Sequence, residues 1–239
     1  MSKRLICSCG YELSFPTQFC LSCGKRNAFA CGVYVNESFL YSIFIGEVEE
    51  TIKFKRYEDS VRNTYEILAD KIYERRLEEI YVSAFNEVLL DEAFSELEKS
   101  YFPFRLYRTD IFGSFEEFSR RLQLRIKVER ELPKFEARAE EKIGGSHSTI
   151  IGGREGYNLV LRLASSPYVK KVVPGVIEVG SGVGGGVRMK LTRSDIKGNL
   201  RALLIDGNTV QQVYVITTAR NKEEGEEVLK ILSSTLKFS

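Results

Sequence analysis

The chain has 239 residues, 43% of them apolar, and a formal net charge of +2 at neutral pH. That is enough chain for one or two domains with ordinary cores, and no run of 18 apolar residues offers a membrane-spanning helix. Its five cysteines are odd in number and four of them precede residue 24, which fits a reducing compartment and a metal site better than a disulfide framework.

The charge is unevenly spread. Residues 1–33 carry +3, residues 34–142 carry −6 and residues 143–239 carry +5. Basic ends around an acidic middle suggest separate roles for the parts, although a charge of this size is also compatible with ordinary scatter. Met1–Cys7 has basic residues but no apolar stretch or small-residue cleavage site behind it, so no secretory leader and a cytoplasmic location are expected.

The first element, 1–28, reads as a zinc ribbon. Cys7-x-Cys9 and Cys20-x-x-Cys23 are separated by ten residues. Zn2+ takes four thiolates in a tetrahedron at about 2.3 Å, and two tight turns joined by a hairpin supply them. Gly10 and Gly24 follow the two pairs, where positive φ frees backbone N–H groups to point at sulfur. The expected ligands are therefore Cys7, Cys9, Cys20 and Cys23. Cys31 lies on an apolar run and reads as a core thiol. Lys25 and Arg26, just past the last ligand, are placed to meet phosphate or an acidic surface, or simply to keep the ribbon soluble.

Residues 29–122 alternate in period. Phe29–Val35, Phe39–Ile45 and Thr51–Tyr57 read as three consecutive antiparallel strands. Asp59 or Ser60 caps a helix with Val61, Tyr65, Leu68 and Ile72 inward. Ile80–Phe85 is a strand, Asn86 opens a second helix with Leu90, Ala93, Phe94 and Leu97 on one face, and Phe104–Tyr107 is a further strand. Ser114-x-x-Glu117 is a capping box for a third helix carrying Phe115, Phe118 and Leu122. The order β-β-β-α-β-α-β-α resembles the ribonuclease H-like fold. That resemblance implies a carboxylate cluster holding two magnesium ions, with one acid in the first strand and one at the end of the fourth. The chain offers Val33, Tyr34, Val35 and Asn36 at the first place and Ser83 at the second, and Glu66 on the first helix has no such partners. A degenerate domain used for binding is the better expectation. Residues 123–142, crowded with alternating charge and containing Pro133, read as a charged helix or linker, although Leu124, Ile126 and Val128 also alternate like a strand.

The segment 143–239 reads as a small α+β domain. Its helix Gly156–Ala164 precedes a strand Val172–Val179, which Pro174 confines to an edge or bends. Val187, Met189 and Leu191 alternate with Arg188, Lys190 and Thr192. Leu200–Ile205 and Thr209–Thr217 form a hairpin about Asp206-Gly207. Asn221-x-x-Glu224 caps a last helix with Val228, Ile231, Leu232 and Leu236 inward. A meander of four strands with helices on one side is the expected architecture. The fold class is thus α/β plus α+β behind an N-terminal ribbon. The strings Gly144-Gly145-Ser146-His147-Ser148-Thr149-Ile150-Ile151, Pro174–Ile177, Val210–Val213 and Thr217-Thr218 resemble a prokaryotic family of predicted metal-binding proteins with a domain of unknown function. Its archaeal members pair such a domain with a cysteine-rich head, and no activity is assigned to them.

Three functions compete. A non-enzymatic RNA- or ribosome-associated zinc protein is favoured by the ribbon, the basic ends and the absent acids; Lys25, Arg26, Arg188, Lys190, Arg193 and Arg201, with Tyr214, are the candidate contacts. An ordinary solvated sheet face accounts for the same residues. An enzyme acting on a nucleotide or phosphoester would use His147, the only histidine, and the loop Gly180–Gly186. That loop has the composition of a phosphate cradle but runs into a strand rather than a helix, and His147 can equally be a hydrogen-bonded loop residue. A homodimeric scaffold would pair exposed strands of the C-terminal domain.

Overall fold

The computed structural model describes residues 5–145, 149–179 and 185–237. They fall into two compact units, Met1–Gln123 and Leu124–Ser239.

The first unit opens with a two-stranded antiparallel hairpin, β1 (Leu5–Ile6) and β2 (Glu12–Leu13), which carries the first cysteine pair in its turn. A five-stranded mixed sheet follows, built from β3 (Ala28–Val35), β4 (Phe39–Gly46), β5 (Glu50–Lys55), β6 (Glu79–Ala84) and β7 (Arg105–Arg108). The spatial order is β5-β4-β3-β6-β7; β3, β4 and β5 are antiparallel neighbours, while β6 and β7 run parallel to β3. Parallel neighbours need crossovers, and α1 (Val61–Tyr73) and α2 (Glu87–Glu98) supply them. Their apolar stripes, with Leu68, Ile72, Leu90 and Leu97, cover the sheet face carrying Cys31, Val33, Val35, Leu40 and Val82. Asn86 caps α2, its Oδ1 accepting from the Leu89 N–H at 2.9 Å. Ser60 precedes α1 but makes no side-chain cap there.

The other sheet face meets α3 (Phe115–Glu131). Gly32 makes this approach possible: a Cβ there would lie 2.3 Å from Leu122 Cδ2 and 2.9 Å from the Phe118 ring. Tyr34 stacks near Phe118 with centroids 5.9 Å apart and donates its hydroxyl to Phe112 O at 2.9 Å.

Helix α3 runs past residue 123 into the second unit. Residues read from the sequence as a charged helix or linker over 123–142 contribute Val128, Leu132 and the buried Lys142 to that unit's interior. The apolar residues Leu124, Val128 and Leu132 recur every four positions, which is helical spacing, and the charges between them cover the other faces. Helix α4 (Gly153–Ala164) begins earlier than the sequence suggests, with Gly152 and Gly153 both at positive φ. The sheet is β8 (Val169–Val179), β9 (Arg188–Ser194), β10 (Leu200–Asp206) and β11 (Thr209–Thr217), all antiparallel, in the order β8-β11-β10-β9. Pro174 thus sits in an edge strand, where its missing N–H costs least. Helices α4 and α5 (Lys222–Lys237) share a core with one face of the sheet, through Val160, Leu163, Val228 and Leu232 against Val172, Ala202, Leu204, Val213 and Val215. At the start of α5, Glu224 N–H donates to Asn221 Oδ1 at 2.9 Å, while the Glu224 carboxylate accepts from the Arg220 N–H at 2.8 Å.

Candidate functional site

Four cysteines form one group. Cys7 and Cys9 lie on the turn between β1 and β2, where Gly10 N–H donates to Cys7 O at 2.8 Å. Cys20 and Cys23 lie on a second turn of the same kind, with Gly24 N–H donating to Cys20 O at 2.8 Å. Gly10 and Gly24 adopt φ of 91° and 75°, values that only glycine adopts readily. The Sγ atoms of Cys7 and Cys23 are 3.7 Å apart, those of Cys9 and Cys20 are 3.6 Å apart, and all four lie within 4.8 Å of one another. A tetrahedron of thiolates about 2.3 Å from a central ion has sulfurs about 3.8 Å apart. The residues present therefore fit a four-thiolate metal centre. Cys7 and Cys20 are buried, whereas Cys9 and Cys23 face solvent.

The electrostatics of the group point the same way. The Cys9 N–H, donating to its sulfur, pulls Cys7 down to about 6, and the Tyr11 N–H lowers Cys9. The Lys25 N–H also favours the Cys23 thiolate, but the neighbouring sulfurs of Cys9 and Cys20 outweigh it and push that thiol up to about 12. Four thiolates so close repel one another unless a cation sits among them. Cys31 is apart, fully buried on β3, with its thiol raised by burial.

The cysteine segment is held to the five-stranded sheet by Arg75, which follows α1 and is almost fully buried. Its guanidinium lies between the rings of Phe15 and Phe44, at 4.2 and 3.8 Å from their centroids. It donates from Nε to Thr17 Oγ1 at 2.7 Å and from Nη2 to Glu50 Oε2 at 2.9 Å. The Thr17 hydroxyl also donates to Glu50, closing the triangle. Phe15 and Thr17 belong to the stretch between the cysteine pairs, so the metal-binding turns and the sheet share one buried polar network.

A second feature is the face of the four-stranded sheet opposite α4 and α5. Ala202 and Leu204 point into the core, so Arg201, Leu203 and Ile205 point outward. Their partners across the ladder share that side: Arg201 faces Arg193 and Tyr214, Leu203 faces Lys190 and Gln212, and Ile205 faces Arg188 and Val210. Lys171 of β8 is opposite Ile216 on the same side. The four basic residues singled out in the sequence here, Arg188, Lys190, Arg193 and Arg201, therefore lie together, and Lys171 joins them. All five are exposed, and none makes an ion pair among the described residues. The Arg201 guanidinium lies over the Tyr214 ring, 5.4 Å from its centroid. One acid, Glu178, shares the face at its far corner and accepts from Gln212 Nε2 at 3.4 Å.

The remaining candidates are placed less favourably. Lys25 is paired with Glu47 at 3.1 Å, and Arg26 is exposed beside it. Glu66 is taken by Arg62 at 2.9 Å on the surface of α1, and the Ser83 hydroxyl donates to Asp110 O at 2.8 Å. The cysteine cluster is the one potential metal-ligand group of three or more Cys, His, Asp or Glu among the described residues. His147 and most of the loop Gly180–Gly186, the parts of the enzymatic alternative, lie outside the described residues. No helix of the described residues is long and apolar enough to cross a membrane.

Residues 138–234 match the model of a family described as a predicted metal-binding protein (DUF2103). The match covers less than half of the chain, begins well beyond Cys23 and contains no cysteine. The thiol cluster therefore adds a metal-ligand set outside the span to which that description applies. No curated protein matches the chain, and no solved structure matches it.

Proposed function

We propose that this protein is a zinc-stabilised, non-catalytic RNA-binding protein, in which a four-cysteine zinc ribbon rigidifies the first unit and the open face of β8-β11-β10-β9 binds RNA. The observation that carries the reading is that exposed face, with five cations unpaired among the described residues around an arginine-covered tyrosine. Unpaired Lys and Arg gathered on one side of a sheet repel one another, and a polyanion relieves that cost while releasing its counterions. Zinc is favoured for the cluster because four thiolates in a closed tetrahedron suit a structural Zn2+, which needs no open coordination position.

The strand order of the first sheet, with three antiparallel strands followed by two parallel ones, supports a ribonuclease H-like reading of 29–122. At the places where nucleases of that fold carry acids stand Val33, Tyr34, Val35 and Asn36 on the first strand and Ser83 on the fourth, and the Tyr34 and Ser83 hydroxyls are each committed to a backbone carbonyl. A scaffold or binding role for that domain follows.

Two measurements test the proposal. Elemental analysis of the purified protein is expected to give one zinc per chain. Binding to a labelled RNA pool is expected to weaken steeply with added salt, with the charge reversals Arg188→Glu and Lys190→Glu together abolishing retention. Salt-insensitive binding, or reversals that leave retention intact, sinks the RNA reading. Capture of acidic protein in place of RNA points instead to a scaffold.

A further inference from the structure

The open face is not uniformly basic, and its layout indicates what kind of RNA it accepts. Along the edge strand β9, Arg188, Lys190 and Arg193 form a row. Simple alternation would not produce that row, because Arg193 has the parity of the inward-facing Leu191. A bulge re-phases the strand. Ala202 pairs with Leu191 but Arg201 pairs with Arg193, so Thr192 is the extra residue and its hydroxyl donates to Arg201 O at 3.0 Å. A bulge of this kind redirects the side chains that follow it, and here it returns Arg193 to the open side.

Inward from that row the surface changes character. β10 and β11 present Leu203, Ile205, Gln212, Tyr214 and Ile216. The Tyr214 ring is set by its surroundings. Gly175 on β8 leaves room for it, since a Cβ there would lie 3.1 Å from the ring, and the phenol hydroxyl donates to Gln212 Oε1 at 3.1 Å. Arg201 covers the ring with a second planar group. The face is a basic rail at one edge beside an aromatic and aliphatic platform.

Resting on the RNA-binding reading above, we propose that the substrate of this face is single-stranded RNA, its phosphates along the β9 rail and its bases turned over the Tyr214–Arg201 platform. A duplex presents phosphates on its outside but keeps its base faces stacked within, so it would meet the rail and leave the platform bare. An unpaired strand uses both, because every base has a π-face to stack on an aromatic ring or a guanidinium plane.

The test is fluorescence anisotropy on the full-length, metal-loaded protein, with a labelled single strand and a duplex of the same length. The single strand is expected to bind more tightly. Tyr214→Ala is expected to weaken single-strand binding by about 5-fold or more, the loss of one stacked base, while leaving duplex binding unchanged. Tyr214→Phe, which keeps the ring, should retain the affinity and guards against a variant that merely misfolds. Lys190→Ala is expected to lower the dependence of log K on log salt by about 0.7 for the single strand. Equal affinity for both forms, or a Tyr214→Ala effect that is absent or the same for both, overturns the single-strand inference and leaves RNA binding standing. Failure of the unmodified protein to bind either form overturns both.

Discussion

Cys20 and Cys31 are both fully buried thiols, yet their environments assign them opposite jobs. Cys20 has a second sulfur at 3.6 Å, whereas Cys31 is raised by burial among the apolar side chains of the first sheet. Cys20→Ser should therefore lower metal affinity at least about 100-fold, beyond the 10- to 100-fold typical of an outer-shell change. Cys31→Ala should cost only core packing, about 1 kcal/mol, with metal content unchanged. Metal stoichiometry of the two variants after dialysis checks the pair, and equal loss in both would refute the assignment. Lys142 gives a pH prediction. Its ammonium is buried, donates to Phe135 O and Ser166 O at 3.0 Å each, and has its pKa lowered by burial. A lysine whose folded pKa is depressed carries a penalty in full below that pKa. The penalty fades as pH rises toward the unfolded value of about 10.4. The protein should gain stability from this group as pH rises from its lowered folded value to the unfolded one, and Lys142→Met should remove that gain. Urea melts of both proteins at two alkaline pH values measure it.

Between the elements, the decisive contact is the one joining the cysteine turns to the sheet. Removing metal releases the stretch that holds Phe15 and Thr17, and Arg75 then loses one ring face and one hydrogen-bond acceptor while remaining enclosed. Breaking a buried charge pair on one side costs about 3 kcal/mol or more, although the partly exposed Glu50 reduces this somewhat. Arg75→Met should therefore destabilise the metal-loaded protein by about 2–3 kcal/mol and shrink the further loss caused by a chelator. Denaturant midpoints for the four combinations of variant and metal give the coupling; strictly additive losses would show that the turns and the sheet are independent. This network was not legible in the sequence. Arg75 stands in the run Glu74-Arg75-Arg76, which reads as solvated charge, and the rings that bury it come from segments remote along the chain. Elements governed by local chemistry were legible: the caps at Asn86, Ser114 and Asn221, the hairpin at Asp206-Gly207 and the cysteine spacing each announce themselves within a few residues. The bulge at Thr192 was not, because period-two alternation carries no sign of an inserted residue until the partner strand is known. The start of α4 was not legible either, since Gly152 and Gly153, both at positive φ, carry neither an apolar side chain nor a capping one.

At the scale of the whole chain, the two candidate sites fall in different compact units. The cysteine cluster and its Arg75 anchor belong to Met1–Gln123, while the open basic face belongs to Leu124–Ser239, which has its own core of Val160, Leu163, Ala202, Val213 and Val228. A ligand that binds only the folded form of one unit stabilises that unit by mass action and leaves another to its own core. Metal should therefore act unevenly. In calorimetry, a thiol-compatible chelator is expected to move the transition of the first unit down by at least several degrees, since a loss of 1 kcal/mol shifts a domain of about 100 residues by roughly 4–8 °C. The transition of the second unit should move much less, damped rather than abolished because α3 crosses the division at residue 123. RNA affinity measured below both transitions should survive chelation almost intact, because none of Lys171, Arg188, Lys190, Arg193 and Arg201 lies in the metal-dependent unit. Loss of RNA binding in step with metal loss would instead place the contact surface on the cysteine turns, where Arg26 is an exposed cation, and would move the functional centre to the first unit.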